Sequence, residues 1–206
     1  MQIEQQTWLE LSTLPLLGQT PIAGVDEVGR GALFGPVVAA AVILPNSILP
    51  QLVAAGVKDS KKLSSLRRLQ LAQLICGNCT DWKIGFASVA EIEQLNILQA
   101  SLLAMKRAVL KLKVQPALCL IDGNQSIRDL LLPQQSIVKG DSLSLAIAGA
   151  SIVAKVWRDD LILRLAAKYP MYDLARNKGY GSPRHFTALQ QYGSSRLHRK
   201  SFNLHI

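Results

Sequence analysis

The hydrophobic positions of this chain form short apolar runs that alternate with longer stripes at helical spacing, which predicts an α/β fold. The runs are bounded by Gly, Pro or polar residues, as β-strands are. They lie at 22–26, 36–44, 82–89, 117–121 and 136–139. The second run is apolar at every position over 37–44, which is typical of a strand in the middle of a sheet that is covered on both faces.

The apolar stripes predict three helices between and after these strands. The first begins at Ser64 or Ser65, either of which can cap it. The second begins at Ser88, which forms a capping box with Glu91, and it is predicted as one long helix that ends before Pro116. The third covers about 142–169, and the small side chains over its first half allow it to lie very close to the sheet.

The length of 206 residues fits one domain extending over 1–206. We expect residues 1–20 to form a loose arm and about 170–206 to form a loop-like, basic, substrate-binding region. A hydrophobic fraction of 49% is typical of a compact protein with a sizeable core. The sequence shows no secretory signal and no run suited to a membrane span, so the cytoplasm is the expected location.

The net charge of the chain limits the kinds of partner that we expect. Lys and Arg number 23 against 14 Asp and Glu, so the formal charge is +9. This excess favours a polyanionic partner, either nucleic acid or an acidic membrane surface. The three cysteines do not suggest a disulfide framework, because their number is odd. Cys76 and Cys79 have CxxC spacing, but no second Cys or His pair follows at the spacing of a zinc site.

Two adjacent acids, Asp26 and Glu27, end the first apolar run and precede the residues Gly29, Arg30 and Gly31. Taken alone, the two acids have a simple structural explanation, in which Asp26 caps a turn and the side chain of Glu27 is solvated. The side chains of neighbouring strand residues point to opposite faces of a sheet, so the two acids cannot both be buried in the same core. Either one acid lies outside the strand, or the strand ends here and both carboxylates bind a positively charged partner. The glycines let a ligand come close, and Arg30 between them is placed to meet a phosphate.

Two further acids stand at comparable positions. Asp122 follows the fourth apolar run, and Asp141 follows the fifth, just before the third helix. Taken singly, Asp122 is explained as a turn residue and Asp141 as a helix cap. Taken together, acids that converge beyond strand ends repel one another unless a cation lies between them. Carboxylates without His or Cys favour Mg²⁺ or Mn²⁺, and two such ions are a common means of cleaving phosphodiesters.

Two alternatives are weaker. The glycines at 29, 31 and 35 resemble a dinucleotide-binding turn, but a strand-like run follows them where that motif requires a helix. No Ser-His-Asp set suggests itself, because His185, His198 and His205 all lie in the basic tail. For those histidines we expect contact with phosphate or plain solvation.

The run Gly24-Val25-Asp26-Glu27-Val28-Gly29-Arg30-Gly31 resembles the signature of the bacterial type 2 ribonucleases H, the ribonuclease HII family. Further blocks match in the family's order between about 22 and 202, which is far more specific than any single motif. These blocks lie at 59–63, 95–98, 120–124, 139–142, 150–159, 178–180 and 198–202.

The resemblance implies a ribonuclease H-like fold, with a mixed central sheet flanked by helices and a helical C-terminal part. It implies cleavage of the RNA strand in RNA–DNA hybrids and incision at single ribonucleotides embedded in duplex DNA, leaving 3′-hydroxyl and 5′-phosphate ends. Mg²⁺ or Mn²⁺ would be the cofactor. The family's metal-site acids, which are its catalytic residues, fall on Asp26, Glu27, Asp122 and Asp141.

The resemblance also implies how the substrate is held. The family's turn that reads the ribose 2′-hydroxyl falls on Gly29, Arg30 and Gly31, and its tyrosine that packs on the neighbouring sugar falls on Tyr180. Basic side chains would grip the backbone phosphates. They are Lys58, Lys61, Lys62, Lys139, Lys178 and the cluster at 196–200.

The sequence departs from the family pattern at two points, since Ala32-Leu33-Phe34 and Gly181 stand where a proline is common. Neither departure removes a metal ligand. Two other classes stay open, which are another metal-dependent nuclease or polynucleotidyl transferase of the same fold, and a non-catalytic nucleic-acid binder. We expect the protein to be a monomer.

Overall fold

The computed structural model describes residues 20–57 and 63–204, and its centre is a five-stranded mixed sheet in the order β3-β2-β1-β4-β5. Strand β1 is antiparallel to β2 and parallel to β4, so it lies in the middle of the sheet. The predicted mixed α/β sheet is confirmed. The strands are β1 Ile22–Val28, β2 Val37–Ile43, β3 Asp81–Ala87, β4 Leu118–Asp122 and β5 Gln134–Ile137.

Helices cover both faces of the sheet and continue beyond it. The α-helices are α1 Leu49–Ala54, α2 Ser65–Asn78, α3 Val89–Leu95, α4 Ile97–Leu110, α5 Leu145–Ala166, α6 Leu174–Asn177 and α7 Pro183–Tyr192. Short 3-10 turns lie at Asn46–Ile48, Gly140–Ser142 and Pro170–Tyr172. Among the described ranges, none of the helices combines the length and the apolar composition that a membrane span requires.

Strand β2 shows why the sheet is central, because all seven of its residues are buried. Its alternate side chains enter two different cores. Val37, Ala39, Ala41 and Ile43 pack in the core with α4. Ala40 and Val42 pack on the opposite face, in the core with α2 and α5. The unbroken apolar run in the sequence is therefore the run of a strand buried on both faces.

The helix caps agree with the sequence in two places and differ in one. Ser64 accepts a hydrogen bond from the Arg67 N–H and caps α2, and Ser88 forms the predicted capping box with Glu91. The long helix predicted from Ser88 is wrong, because Asn96 divides it into α3 and α4. Asn96 has φ +69°, and its side chain accepts hydrogen bonds from the N–H groups of the first residues of α4.

The residues after 170 form two helices and a third hydrophobic core, so the helical C-terminal part that the family resemblance implies is confirmed, and the loop-like tail that we predicted from the residues is wrong. This core joins the tail to the loop that follows β1 and to the last turns of α5. Its buried members are Leu33, Phe34, Ile162, Tyr172, Leu174, Ala188, Leu189 and Leu204. His185 and His198, for which we expected solvation or phosphate contact, are buried beside it.

Strand β1 and helix α5 approach each other without a side chain between them at Gly24. A Cβ atom on Gly24 would lie 2.0 Å from the carbonyl carbon of Ala146 and 2.3 Å from the nitrogen of Ile147. Both are backbone atoms, so a flexible side chain cannot move away to make room. The small side chains of α5 therefore permit the close contact that the sequence predicted.

We expect Gly24→Ala to destabilise the fold by about 3 kcal/mol, because the added methyl group must separate β1 from α5. The matched control is Gly77→Ala in α2, where no atom lies within 4 Å of the added Cβ. That variant should be more stable than the wild type by about 0.5 kcal/mol, because alanine has the higher helix propensity. Urea denaturation measures both changes, and equal stability of the two variants would contradict the close contact.

Candidate active site

Three of the predicted acids meet near the ends of two neighbouring parallel strands, β1 and β4. Asp26 and Glu27 lie near the end of β1, and Asp122 is the last residue of β4. The parallel register pairs Val25 with Ile121, so the next residues, Asp26 and Asp122, lie side by side. One oxygen from each of the three carboxylates lies within 4.8 Å of the others. Strand pairing alone thus brings residues nearly a hundred positions apart into one cluster.

The position of Asp26 makes its negative charge costly. The residue is 5% exposed, and burial raises the pKa of its carboxyl well above the usual range, with further contributions from Glu27 and Asp122. Hydrogen bonds from Ser151 and from the Glu27 N–H, at 2.7 Å, oppose this rise. Burial also raises the pKa of Glu27, against an opposing ion pair with Arg30.

The charge distribution of the cluster suits a hard divalent cation. Carboxylate oxygens without sulfur or imidazole ligands are the donors that Mg²⁺ and Mn²⁺ prefer. Among the described residues, Asp26, Glu27 and Asp122 form the group that could hold a metal ion. Cys76 and Cys79, whose CxxC spacing lacked the second ligand pair of a zinc site, are free thiols, and burial raises the pKa of Cys76 to about 11.

Asp141 lies in the same cleft but outside the three-acid cluster. It belongs to the 3-10 turn Gly140–Ser142 and is 7% exposed. This turn is tied to the cluster, since the Gly140 N–H donates a hydrogen bond of 2.7 Å to Asp122 Oδ1. The cap of helix α5 is Ser144, so Asp141 is not the helix cap that we considered from the sequence.

A cleft of about 470 Å³ contains most of the predicted site. Its walls include the four acids, the Gly-Arg-Gly turn and Tyr180. The predicted residues on its walls are Asp26, Glu27, Gly29, Arg30, Gly31, Asp122, Asp141 and Tyr180. Lys139 is exposed and is not among the residues that line this cleft. Lys58, Lys61 and Lys62 lie outside the described residues.

The cleft also contains basic and polar residues that we did not predict as site residues. They are Arg68, Ser151 and Lys155. Ser151 and Lys155 are one turn apart on α5, so they share one face of that helix. Lys155 Nζ pairs with Asp159 at 2.8 Å and lies 5.5 Å from the centre of the Tyr180 ring. Their spacing of four residues within the otherwise apolar stretch 145–157 of this helix was the available signal in the sequence.

The loop that follows β1 is held from below by Arg158, which is fully buried. Its guanidinium donates hydrogen bonds to the carbonyls of Pro36 at 3.1 Å, Lys178 at 2.9 Å and Phe34 at 3.0 Å. A Cβ on Gly29 would lie 2.2 Å from Arg158 Nε, and Gly29 has φ +88°. Glycine is required here both by the backbone conformation and by the arginine beneath it.

Arg199, also fully buried, holds the same loop from the other side. It donates to the carbonyls of Gly35 at 3.0 Å and of Arg30 at 2.7 Å. Burial and the neighbouring Arg158 lower its pKa to about 9, so it stays charged at neutral pH. We call Arg158 and Arg199 the arginine clamp. It fixes the carbonyl groups of the Gly-Arg-Gly loop and leaves two positive charges behind it.

Comparison with known proteins identifies the family. The family model described as Ribonuclease HII matches residues 23–205 of this chain. A ribonuclease HII of Nostoc sp. is 70% identical over 181 residues, which are 88% of this chain and 80% of the relative. A ribonuclease HII of Synechocystis sp. is 56% identical over 181 residues, 88% of this chain and 95% of the relative.

Solved structures agree with this assignment. The ribonuclease H2 of Pyrococcus horikoshii matches with a TM-score of 0.75 and 26% identity, over 89% of this chain and 94% of that one. A ribonuclease HIII solved in complex with Mn²⁺ matches with a TM-score of 0.72 over 91% of this chain and 68% of that one. At 20% identity the second likeness shows the fold alone, which is the ribonuclease H-like fold.

We expect Asp26→Asn to raise the melting temperature in the presence of a chelator by about 2–4 °C, the shift that about 1 kcal/mol gives in a chain of this size. The neutral amide removes a desolvated charge that Glu27 and Asp122 repel, while its oxygen can still accept the hydrogen bond from the Glu27 N–H. Added Mn²⁺ should stabilise the wild type and should stabilise the variant much less.

The control is Asp160→Asn in α5, since this side chain is 62% exposed and pairs only at the surface with Arg164. It should leave both the melting temperature in chelator and the response to Mn²⁺ nearly unchanged. Scanning calorimetry with and without metal measures these shifts. A lower melting temperature for Asp26→Asn in chelator would show that the three acids do not repel one another as argued.

Proposed function

This chain belongs to the ribonuclease HII family and is an endoribonuclease that acts on RNA–DNA hybrids, and from this premise we propose its mechanism and its finer specificity. We propose that it hydrolyses the phosphodiester bond with two divalent metal ions and leaves 3′-hydroxyl and 5′-phosphate ends. We also propose that it incises duplex DNA at single embedded ribonucleotides. The observation that carries the proposal is the convergence of the acid cluster, the Gly-Arg-Gly turn and Tyr180 on one cleft.

The acids divide into two groups by position. Asp26, Glu27 and Asp122 would hold one ion, because their oxygens already lie within 4.8 Å of one another. Asp141, on the neighbouring 3-10 turn, would contribute to a second. When bound, Mg²⁺ or Mn²⁺ supplies an activated water as nucleophile and stabilises the charge on the leaving oxygen. A complex with Mn²⁺ is known for a ribonuclease HIII of the same fold, which supports this choice of ion.

The surrounding residues keep the acids in position. Ser151 hydrogen-bonds to Asp26, and the Gly140 N–H holds one oxygen of Asp122. Arg30 donates to Glu27 Oε1 at 3.1 Å and is half-exposed at the rim. Arg30 is therefore already paired with a carboxylate of the protein. A bound phosphate would either share the Arg30 guanidinium with Glu27 or replace Glu27 as its partner.

Recognition of the ribonucleotide would depend on the Gly-Arg-Gly turn. The 2′-hydroxyl is the group that distinguishes a ribonucleotide from its DNA neighbours, and it both donates and accepts hydrogen bonds. A reader of this group needs backbone groups in a fixed position close to the sugar. The arginine clamp supplies the fixed position by binding the carbonyls of Arg30 and Gly35, and glycine at 31, where nothing lies within 4 Å of an added Cβ, permits the close approach.

Binding to the nucleic-acid backbone would use the positive charge of the chain, which is +9 overall. Arg30, Arg68 and Lys155 are the described basic residues on the walls of the cleft, where the scissile strand would lie. Contacts from Lys61, Lys62 and Lys139 stay predictions, as do the monomeric state and the cytoplasmic location.

The test is cleavage of a labelled DNA duplex with one embedded ribonucleotide, beside a long RNA–DNA hybrid and an all-DNA duplex. We expect cleavage of the first two with Mg²⁺ or Mn²⁺ and none with chelator. Asp122→Asn should lower turnover at least about a hundredfold and leave binding in place, since charge stabilisation at the reacting groups is lost.

The control for this variant is Asp129→Asn, whose side chain is 90% exposed and which lies outside the cleft. It should cleave like the wild type. Retained activity in Asp122→Asn would remove this residue from the site, and cleavage of the all-DNA duplex would favour a general nuclease of the same fold.

The second test concerns Tyr180, whose ring lies 5.5 Å from both Lys155 Nζ and the Arg158 guanidinium. Tyr180→Phe keeps the ring and should retain much of the activity. Tyr180→Ala should lose more activity on the single ribonucleotide than on the long hybrid, because a ring on the neighbouring deoxyribose detects the RNA–DNA junction. Tyr192→Ala, at an exposed position on α7, is the control and should change neither activity.

Equal losses of Tyr180→Ala on both substrates, together with a large fall in melting temperature, would instead make Tyr180 a packing residue. Steady-state rates on the two substrates and thermal unfolding of each variant decide between these results.

A further inference from the structure

Two histidines form a buried pair behind the Tyr180 loop. His185 on α7 is 0% exposed and His198 is 1% exposed. Their Nε2 atoms lie 3.0 Å apart, and His198 also packs edge-on against the rings of Phe34 and Tyr172. Imidazoles buried at this distance cannot share a hydrogen bond unless one nitrogen donates and the other accepts.

The groups at the two ends of the pair determine which nitrogen carries each proton. The Ser195 backbone N–H, which can only donate, lies 2.9 Å from His198 Nδ1, so that nitrogen accepts. In a neutral ring the proton of His198 is then on Nε2, and it is donated to His185 Nε2. The proton of His185 is therefore on Nδ1, which donates to the Tyr180 carbonyl at 2.9 Å.

The result is a continuous chain of hydrogen bonds from Ser195 to the backbone of Tyr180, with one allowed order of protons. A second proton on His185 would place two N–H groups against each other between the Nε2 atoms, and a second proton on His198 would place its Nδ1–H against the Ser195 N–H. The lowered pKa values of both histidines, caused first by burial, agree with a neutral pair, and the pKa of His198 falls to about 4.

The chain of hydrogen bonds ends at Tyr180, whose ring lines the cleft. The residues before Tyr180 are already held, since Arg158 binds the Lys178 carbonyl and the Gly179 carbonyl accepts from the Leu33 N–H at 2.8 Å. The Tyr180 N–H donates to the Asn177 carbonyl at 2.9 Å, and the bond from His185 adds the hold on the Tyr180 carbonyl.

We propose that the His185–His198 pair is a positioning device for Tyr180, which it orients toward the sugar beside the cleaved bond. The proposal rests on the proposed function, in which Tyr180 contacts the nucleic acid. His185 and His198 touch neither substrate nor metal in this proposal. They act through the Tyr180 carbonyl, and they determine how well the enzyme prefers a single embedded ribonucleotide over a long hybrid.

Two substitutions at one position separate this role from simple packing. In His185→Asn, the amide can occupy the place of Nδ1 and can still donate to the Tyr180 carbonyl. In His185→Gln, the amide reaches the place of Nε2 and His198 but leaves the Tyr180 carbonyl without its donor. Both variants lose the ring, so their stabilities should fall by similar amounts, and thermal unfolding checks this.

We expect His185→Asn to keep the wild-type ratio of kcat/KM between the single-ribonucleotide duplex and the long hybrid. We expect His185→Gln to lower that ratio about fivefold, the effect of one buried acceptor that loses its donor. The change should resemble that of Tyr180→Ala. Equal ratios in the Asn and Gln variants, beside a changed ratio in Tyr180→Ala, would overturn the positioning role while the proposed function stands.

A second measurement does not depend on activity. Proton–nitrogen correlation spectra of protein with labelled histidine distinguish the two neutral tautomers. We expect a proton on Nδ1 of His185 and on Nε2 of His198, and any other assignment would overturn the proposed chain of hydrogen bonds. If the wild type cleaves neither substrate, the proposed function fails, whatever the tautomers are. If Tyr180→Ala keeps the wild-type ratio, the contact of Tyr180 with the sugar fails instead, and the positioning role of the histidine pair fails with it.

Discussion

The structure of the site depends on hydrogen bonds from two buried guanidinium groups to backbone carbonyls. Arg158 and Arg199 have no carboxylate among the hydrogen-bond partners described for them, although burying an unpaired charge is costly. The carbonyls of the loop at 29–36 and of Lys178 compensate part of this cost. In return the loop, which carries no regular secondary structure over most of its length, gains a single conformation. The positive charges beneath it also favour an anion above it.

The acid cluster lies a few residues away and concentrates negative charge, whereas the arginine clamp concentrates positive charge. Asp26, Glu27 and Asp122 gather negative charge where water is largely excluded, and the pKa values of Asp26 and Glu27 rise as a consequence. Two regions of opposite charge thus lie on the two sides of the Gly-Arg-Gly turn. In the proposed mechanism a divalent cation would balance one of them and a phosphate the other, so the substrate with its metal ions would complete the electrostatics of the fold.

Much of this arrangement could be predicted from the sequence, for reasons that concern particular residues. The strand β1 was predictable from its apolar run. Each acid alone has an ordinary structural explanation, and the site was predictable because several acids follow apolar runs and the residues around them resemble the family signature. The break at Asn96 was not, because the apolar stripe continues in phase on both sides of it. The role of Arg158 was hidden because its partners are carbonyl groups, which every residue has, at positions 122 and 124 residues away. The burial of His185 and His198 was hidden by the basic residues around them.

The partners of Arg199 have a consequence for the order in which the protein can be assembled. Its bonds to the carbonyls of Gly35 and Arg30 join positions 164 and 169 residues apart. During synthesis the strand that carries Asp26 and Glu27 leaves the ribosome long before position 199 does. The acid cluster can therefore form first, while the turn that would read the ribose stays without its second arginine until nearly all of the residues described here are present. Contacts of such high sequence separation close late and slowly. A nascent chain would thus acquire the acids for hydrolysis before it acquires discrimination between RNA and DNA.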